Sequence, residues 1–298
     1  MLVNPQYLNN VSQAINQTSA VEEQLTEELS TGSSIQQLSD NPVAVGQNVG
    51  LNAAIMQDDS YQQTASTSES MLQVTDSALG NVVTQVNKAI SLSTEGNNGT
   101  LNSSQQKDVA QQLEGIRDEI LSIANTSYLG QYLFSGSANT QPFTLDESTS
   151  PASVTYNGDS TVNSITTPEG QEVALNVPGN QIFTASGANL LGTLNALISD
   201  YNSGDITQAQ SDSTNLSTAL NAVDQQRITI DNSITRLTAT STYAQTQSTQ
   251  LQAAQTNLMQ ADLAGISTQL KDAETQQAAL SEVFSSLGSQ SLFNYING

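Results

Sequence analysis

The chain contains no cysteine, no histidine and no tryptophan among its 298 residues. Without cysteine it has no disulfides, no thiolate metal ligands and no cysteine nucleophile. Without histidine it lacks the commonest general base, the Ser-His-Asp triad and the usual ligands of zinc and iron. These absences argue against an enzyme. We therefore expect no catalytic, cofactor-binding or metal-binding residue.

Positive charge is also scarce. Six basic residues against 28 acidic ones give a net charge of −22, and charged residues make up only 11% of the chain. Such a chain is repelled by nucleic acid and by anionic lipid. No apolar run approaches the roughly 18 residues that span a membrane, and the first residues carry no signal-peptide pattern. We expect no nucleic-acid partner, no membrane insertion and no cleaved leader.

The first forty residues predict an amphipathic helix with the spacing of a coiled-coil seam. Its seam residues alternate by three and four positions: Val11, Ala14, Thr18, Val21 and Leu25, widened by Ile15 and Leu29. An ordinary helix bundle produces the same spacing. A comparable seam runs through the last forty residues, so each stripe is expected to pair with the other terminus or with neighbouring subunits.

Further helical segments follow. One is predicted from about Val43 to Ser93, and the next begins at Asn102 or Ser103, either of which suits an N-cap. The longest periodic stretch starts after Asp205, another N-cap candidate. Arg227 falls on its seam, where it either forms a buried ion pair or extends to the bundle edge; the second interpretation is the simpler.

Residues 131–188 differ in character. Four of the six prolines lie there, and short β-favouring runs at 154–156, 173–177 and 182–184 alternate with turn residues. Asn157-Gly158 is a typical hairpin turn pair. The sequence predicts a mainly α protein with three parts. Residues 1–42 and 255–298 form a terminal coiled coil, 43–130 and 189–254 form a helical bundle, and 131–188 form one small inserted β-rich domain.

Three sequence blocks resemble the flagellin superfamily, and within it the hook–filament junction proteins. The blocks are Leu29-Ser-Thr-Gly32 to Ser39-Asp-Asn-Pro-Val-Ala44, Tyr132-Leu-Phe-Ser-Gly136 with Thr140-Gln-Pro-Phe143, and Ala261-Asp-Leu-Ala-Gly-Ile-Ser267 through Ser291-Leu-Phe-Asn-Tyr-Ile296. In the first block Asp40-Asn41-Pro42 stands where the family usually has Asp-Asp-Pro.

The resemblance implies a structural subunit of the bacterial flagellum. It implies export through the flagellar type III apparatus, an extracellular location at the hook–filament junction, and assembly as a ring. The implied partners are copies of the chain itself, the first hook-associated junction protein, flagellin and an export chaperone. Two other classes remain open: the filament flagellin itself, and an enzyme or adhesin that uses the β-rich insert.

We expect the apolar residues of both terminal segments to form the assembly interface. They are Val11, Ile15, Val21, Leu25, Leu29, Leu263, Ile266, Leu270, Leu280, Phe284, Leu287, Leu292, Phe293, Tyr295 and Ile296.

Overall fold

The computed structural model describes residues 5–35, 37 and 41–296, with side chains for 6–35, 37 and 41–286. In this part of the chain the helices are α1 (Pro5–Thr31), α2 (Pro42–Gly96), α3 (Ser103–Ala124), α4 (Leu190–Ser203), α5 (Ile206–Met259) and α6 (Leu263–Ile296). The mainly α prediction is confirmed. The described chain divides into two compact units. Unit 1 comprises residues 1–56 and 247–298, and unit 2 comprises residues 57–246.

Local sequence signals explain where the helices begin. Asn102 caps α3: its side chain accepts from the backbone N–H groups of Ser104 and Gln105, both at 3.0 Å. Gln105 completes the capping box by accepting from the Asn102 N–H at 2.9 Å. Of the two N-cap candidates the structure thus selects Asn102. The predicted Asp205 cap is confirmed, since its side chain accepts from the Gln208 N–H at 3.1 Å.

Unit 1 is built on an antiparallel pair of helices, α1 and α6. Leu25 packs with Ala261, Ile266 and Leu270 near one end of the pair. Toward the start of α1, Ser19 lies beside Gln277, farther along α6. The base of the pair is joined by backbone hydrogen bonds, with the Ala261 N–H donating to the Gly32 carbonyl at 3.0 Å. The apolar stripes of α1 and α6 therefore pack against each other within one chain.

Unit 2 has one continuous core to which α2, α3, α4, α5 and the β region all contribute. Its helical members recur at heptad spacing along each helix: Leu72, Leu79, Val82 and Val86 on α2, Val109, Leu113 and Ile120 on α3, and Leu216, Val223, Ile230 and Leu237 on α5. Each is almost completely buried. The apolar residues that recur with helical periodicity in the sequence therefore face the core, as expected for amphipathic helices.

Polar contacts set the pairing of these helices. The buried Tyr201 hydroxyl on α4 donates to the Ser93 carbonyl of α2 at 2.9 Å. Arg227 of α5 donates from Nε and Nη2 to the two carboxylate oxygens of Asp76, at 2.8 and 3.2 Å. Each interpretation of Arg227 is met in part: its guanidinium forms a bidentate ion pair with Asp76 of α2, and both side chains stay partly exposed, at 31% and 25%.

The β region consists of three separate antiparallel pairs in the described chain. β1 (Ser127–Tyr128) pairs with β2 (Gln131–Tyr132), β3 (Phe143–Asp146) with β4 (Ser153–Tyr156), and β5 (Ser164–Thr166) with β6 (Glu172–Ala174). Three buried phenylalanines hold this region together: Phe183 meets Phe134 and Phe143 edge-on, with ring centroids 5.1 and 5.3 Å apart.

Two local predictions in this region are wrong. Asn157-Gly158 makes no hairpin turn, because it follows β4, whose partner β3 precedes it, and neither residue adopts a positive φ. Gly158 is needed for space instead: a Cβ there would lie 2.6 Å from the Ser135 carbonyl oxygen. Residues 182–184 form a turn rather than a strand. The N–H groups of Ile182 and Phe183 both donate to the Gly179 carbonyl, at 3.1 and 2.8 Å, so they form a turn instead of pairing with a strand.

Asp200, in the last turn of α4, makes the stability of unit 2 depend on pH. Burial, together with the nearby Asp212 and Asp205 carboxylates, raises its pKa from 3.8 to about 6. A raised carboxyl pKa means that the folded state binds the proton more tightly than the unfolded state. This contribution to stability is present in acid and is lost as the pH rises through about 6.

We expect Asp200→Asn to raise the thermal unfolding midpoint at pH 7.5 and to flatten its change between pH 7.5 and pH 5, as followed by circular dichroism. Glu119→Gln, the same charge change at an exposed position of α3, is the control and should leave the pH dependence as it is. An undiminished pH dependence in Asp200→Asn would contradict the assignment.

Candidate assembly surface

The predicted interface residues fall into three groups in the structure. Val11, Leu25 and Ile266 are buried between α1 and α6, and Ile15, Leu270 and Leu280 are partly buried. Val21, Leu29, Leu263 and Phe284 are exposed by between 37% and 47%. The third group comprises predicted residues whose side chains are outside the part of the chain that the structure describes: Leu287, Leu292, Phe293, Tyr295 and Ile296. The structure thus brings the first group together and leaves the second on the surface of the helix pair.

Within α1 the seam departs from the predicted one most clearly at Val21. Val21 points away from α6, and Glu22 occupies the seam position beside it. Both residues fit an alternation of three and four, and an apolar residue is the natural choice when only the sequence is known. The difference comes from the partner helix, because α6 presents the amide of Gln277 at this level. The contact of Val21 with other copies stays a prediction.

Exposed apolar side chains concentrate in unit 1. Among the described residues, thirteen large apolar side chains are exposed, and nine of them belong to unit 1, which holds about a third of the chain. The nine are Tyr7, Val21, Leu29, Val43, Val49, Met56, Leu263, Val283 and Phe284. An exposed apolar set of this kind marks an interaction surface.

Three of these residues, Val43, Val49 and Met56, lie on α2 and were missed by sequence reasoning. Val49 and Met56 share one face with Gly46 and Ala53, at spacings of three and four; we call these four residues the α2 stripe. Val49 is 64% exposed and Met56 65%. A signal was available, because a 3-4-3 apolar spacing runs through them. Such a spacing predicts a buried helix face as readily as an exposed one.

The α2 stripe lies on a stretch of helix that carries no charge of its own. No charged residue occurs between Pro42 and Gln57, and none between Leu237 and Ala261, although Asp58 and Asp59 follow directly after the stripe. Copies that each carry −22 repel one another, and the repulsion is least where charge is absent. Helix faces without charge are therefore the surfaces on which copies of this chain approach at the lowest electrostatic cost.

The described residues offer little for other chemistry. Nowhere in residues 5–35, 37 and 41–296 do three or more acidic side chains converge to hold a metal ion. None of the helices described is long and apolar enough to cross a membrane. Asp58 of α2 is buried, and this burial, together with the adjacent Asp59 carboxylate, raises the pKa of Asp58.

Comparisons with known proteins agree with the sequence motifs. Residues 4–139 match the bacterial flagellin N-terminal helical region. Solved structures that share the fold include a putative flagellar hook-associated protein from Vibrio parahaemolyticus, with a TM-score of 0.55, 21% identity and coverage of 74% of this chain and 97% of that one. The flagellar junction protein FlgL from Legionella pneumophila has a TM-score of 0.53 at 15% identity, covering 65% and 99%. The matched region is thus the N-terminal helical region of bacterial flagellin, the family that the motifs resemble.

The curated relatives are more specific. Flagellar hook-associated protein 3 of Salmonella typhimurium is 28% identical over 171 residues, which cover 55% of this chain and 54% of the relative. The Escherichia coli protein of the same name is 31% identical over 123 residues, covering 41% and 39%. The chain thus spans about half or less of the length of these curated relatives. The resemblance to flagellar hook-associated protein 3 is confirmed, because both of these curated relatives carry that name.

Proposed function

We propose that this chain is a structural subunit of the bacterial flagellum that assembles as the junction ring between the hook side and the filament. The observation that carries the proposal is the exposed apolar surface of unit 1 in a chain whose curated relatives are flagellar hook-associated proteins. A closed ring requires one patch of each subunit to bind a different patch of the next. The α2 stripe and the exposed residues of the α1–α6 pair supply two such patches.

The three sequence-based parts give this ring its layers. The terminal coiled coil, 1–42 and 255–298, forms the inner tube. The bundle of 43–130 and 189–254 forms the next shell, and the β-rich part, 131–188, faces outward. Burial of the unit 1 surface against neighbouring copies drives the association, since apolar area removed from water contributes about 25 cal/mol per Å².

The partners follow from the position in the ring. Copies of the chain contact one another, the first hook-associated junction protein binds on the hook side, and flagellin binds on the filament side. The subunit reaches this extracellular site through the flagellar type III apparatus, with the help of an export chaperone. A chain without cysteine supports such a route, because it forms no disulfide before or after export.

Deletion of the gene tests the proposal. We expect intact hooks without filaments, and flagellin released into the culture medium, with recovery when the gene is supplied in trans. Electron microscopy of the hooks and assay of flagellin in the medium are the measurements. Filaments of normal length in the deletion strain would refute the junction role. Loss of filaments with no flagellin in the medium would favour the filament subunit.

A further inference from the structure

One polar contact interrupts the apolar seam between α1 and α6. The Gln277 side chain lies between Ser19 and Glu22. In the amide orientation that satisfies both neighbours, its oxygen accepts from Ser19 Oγ at 2.8 Å and its nitrogen donates to the Glu22 carboxylate oxygens at 2.7 and 2.9 Å. We call these three residues the polar layer. All three are partly buried.

The heptad pattern of both helices isolates this layer. One heptad line of α1 reads Leu8, Ile15, Glu22 and Leu29, and one line of α6 reads Leu263, Leu270, Gln277 and Phe284. Each line therefore has one polar member among three large apolar ones. In the structure the two polar members meet. Buried or half-buried polar groups of this kind specify register and partner in coiled coils, at some expense of stability.

Other pairings separate the two polar residues. A slip of one heptad sets Glu22 against Leu270 or Phe284, and Gln277 against Ile15 or Leu29. If the α1 helices of two copies pair with each other, Glu22 faces either an apolar side chain or a second carboxylate. Each arrangement leaves a charged or amide group without a partner, which is unfavourable in a seam.

We propose that the polar layer is the pairing determinant of the terminal helices, fixing α6 as the partner of α1 and the register between them. The backbone hydrogen bonds near Gly32 and Ala261 hold the base of the helix pair. About two heptads farther along, the polar layer fixes which residues of α1 and α6 lie opposite each other. This inference concerns the free chain, so it is tested separately from the proposed function.

The absence of cysteine makes a clean test available. Leu25→Cys with Ile266→Cys reports the native register, because both side chains belong to one cluster. Leu25→Cys with Leu280→Cys reports a slip of one heptad, because Leu280 lies seven residues beyond Ala273, which the Glu22–Gln277 contact sets nearly level with Leu25. Leu25→Cys alone reports α1–α1 pairing as a covalent dimer. Each reporter is oxidised in the full chain at low concentration, and the products are separated on non-reducing gels.

Three backgrounds decide the outcome. Glu22→Leu with Gln277→Leu makes the layer apolar, and we expect the slipped and dimeric products to rise about tenfold, the ratio that corresponds to about 1.4 kcal/mol of lost discrimination. Glu23→Leu with Gln276→Leu makes the same changes at exposed positions one residue away, and we expect the wild-type pattern. Glu22→Gln with Gln277→Glu exchanges the two polar groups and should keep the native product.

The proposal is overturned if the apolar-layer variant cross-links like the control with exposed substitutions, or if the exchange variant loses the native product. Circular dichroism establishes that each variant is folded. Should the apolar-layer variant fail to fold, Gln277→Leu alone takes its place: it leaves Glu22 without its partner, and an unchanged native product in that variant would also overturn the proposal.

Discussion

Val49→Asp with Met56→Asp is expected to abolish self-assembly while leaving the fold of the monomer intact. Both side chains are largely exposed on the α2 stripe, so the free chain loses little when they change. In an assembly each buried Val or Met contributes about 1.5–3 kcal/mol. Two new carboxylates on this uncharged stretch of α2 add repulsion between copies that already carry −22. Each contact between copies should weaken at least about 100-fold.

Sedimentation of the purified chain under assembly conditions measures this effect, and circular dichroism checks that the helices persist. Ile228→Asp with Tyr243→Asp is the matched control, because both residues are 51% exposed and lie in unit 2. We expect the control to assemble like the wild type. Normal assembly by the Val49/Met56 variant would show that the α2 stripe is not part of the interface, regardless of any contact made by the terminal helices.

Phe183→Ala is expected to produce the largest loss of folding stability. Phe183 is fully buried and meets the rings of Phe134 and Phe143 edge-on. It lies just after the short 3-10 helix Gly179–Gln181, so its ring anchors the end of the β region to the hairpin that begins at Phe143. Truncating a buried Phe to Ala lowers the free energy of unfolding by about 3–5 kcal/mol.

Urea denaturation of the purified chain, followed by circular dichroism, measures the change. Val162→Ala serves as the control, since Val162 lies in the same region and is 46% exposed. Its effect should stay within about 0.5 kcal/mol, as for most surface substitutions. A loss below about 1 kcal/mol in Phe183→Ala would show that the three aromatic rings do not fold as one unit with the helices.

The sequence by itself determined the features that depend on neighbours along the chain. Heptad spacing, as at Leu79, Val82 and Val86 of α2, is visible in the sequence and predicts an inward face, because a helix places every third or fourth residue on one side. Asp205 was recognisable as a cap because the orphan N–H it satisfies is three residues away. The mainly α class and the β-rich insert followed from the same local rules.

Only the tertiary structure decided the features that depend on a distant partner. Val21 and Glu22 fit the seam spacing of α1 equally well, and Gln277, more than 250 residues later, selects Glu22. The sequence leaves two interpretations of Arg227 open, because its ion-pair partner, Asp76 of α2, is 151 residues away along the chain. Val49 and Met56 resemble core residues in the sequence, and their exposure follows from how α2 packs in unit 1. Periodicity defines which face of a helix is apolar, but what covers that face depends on contacts between segments that are far apart in the sequence.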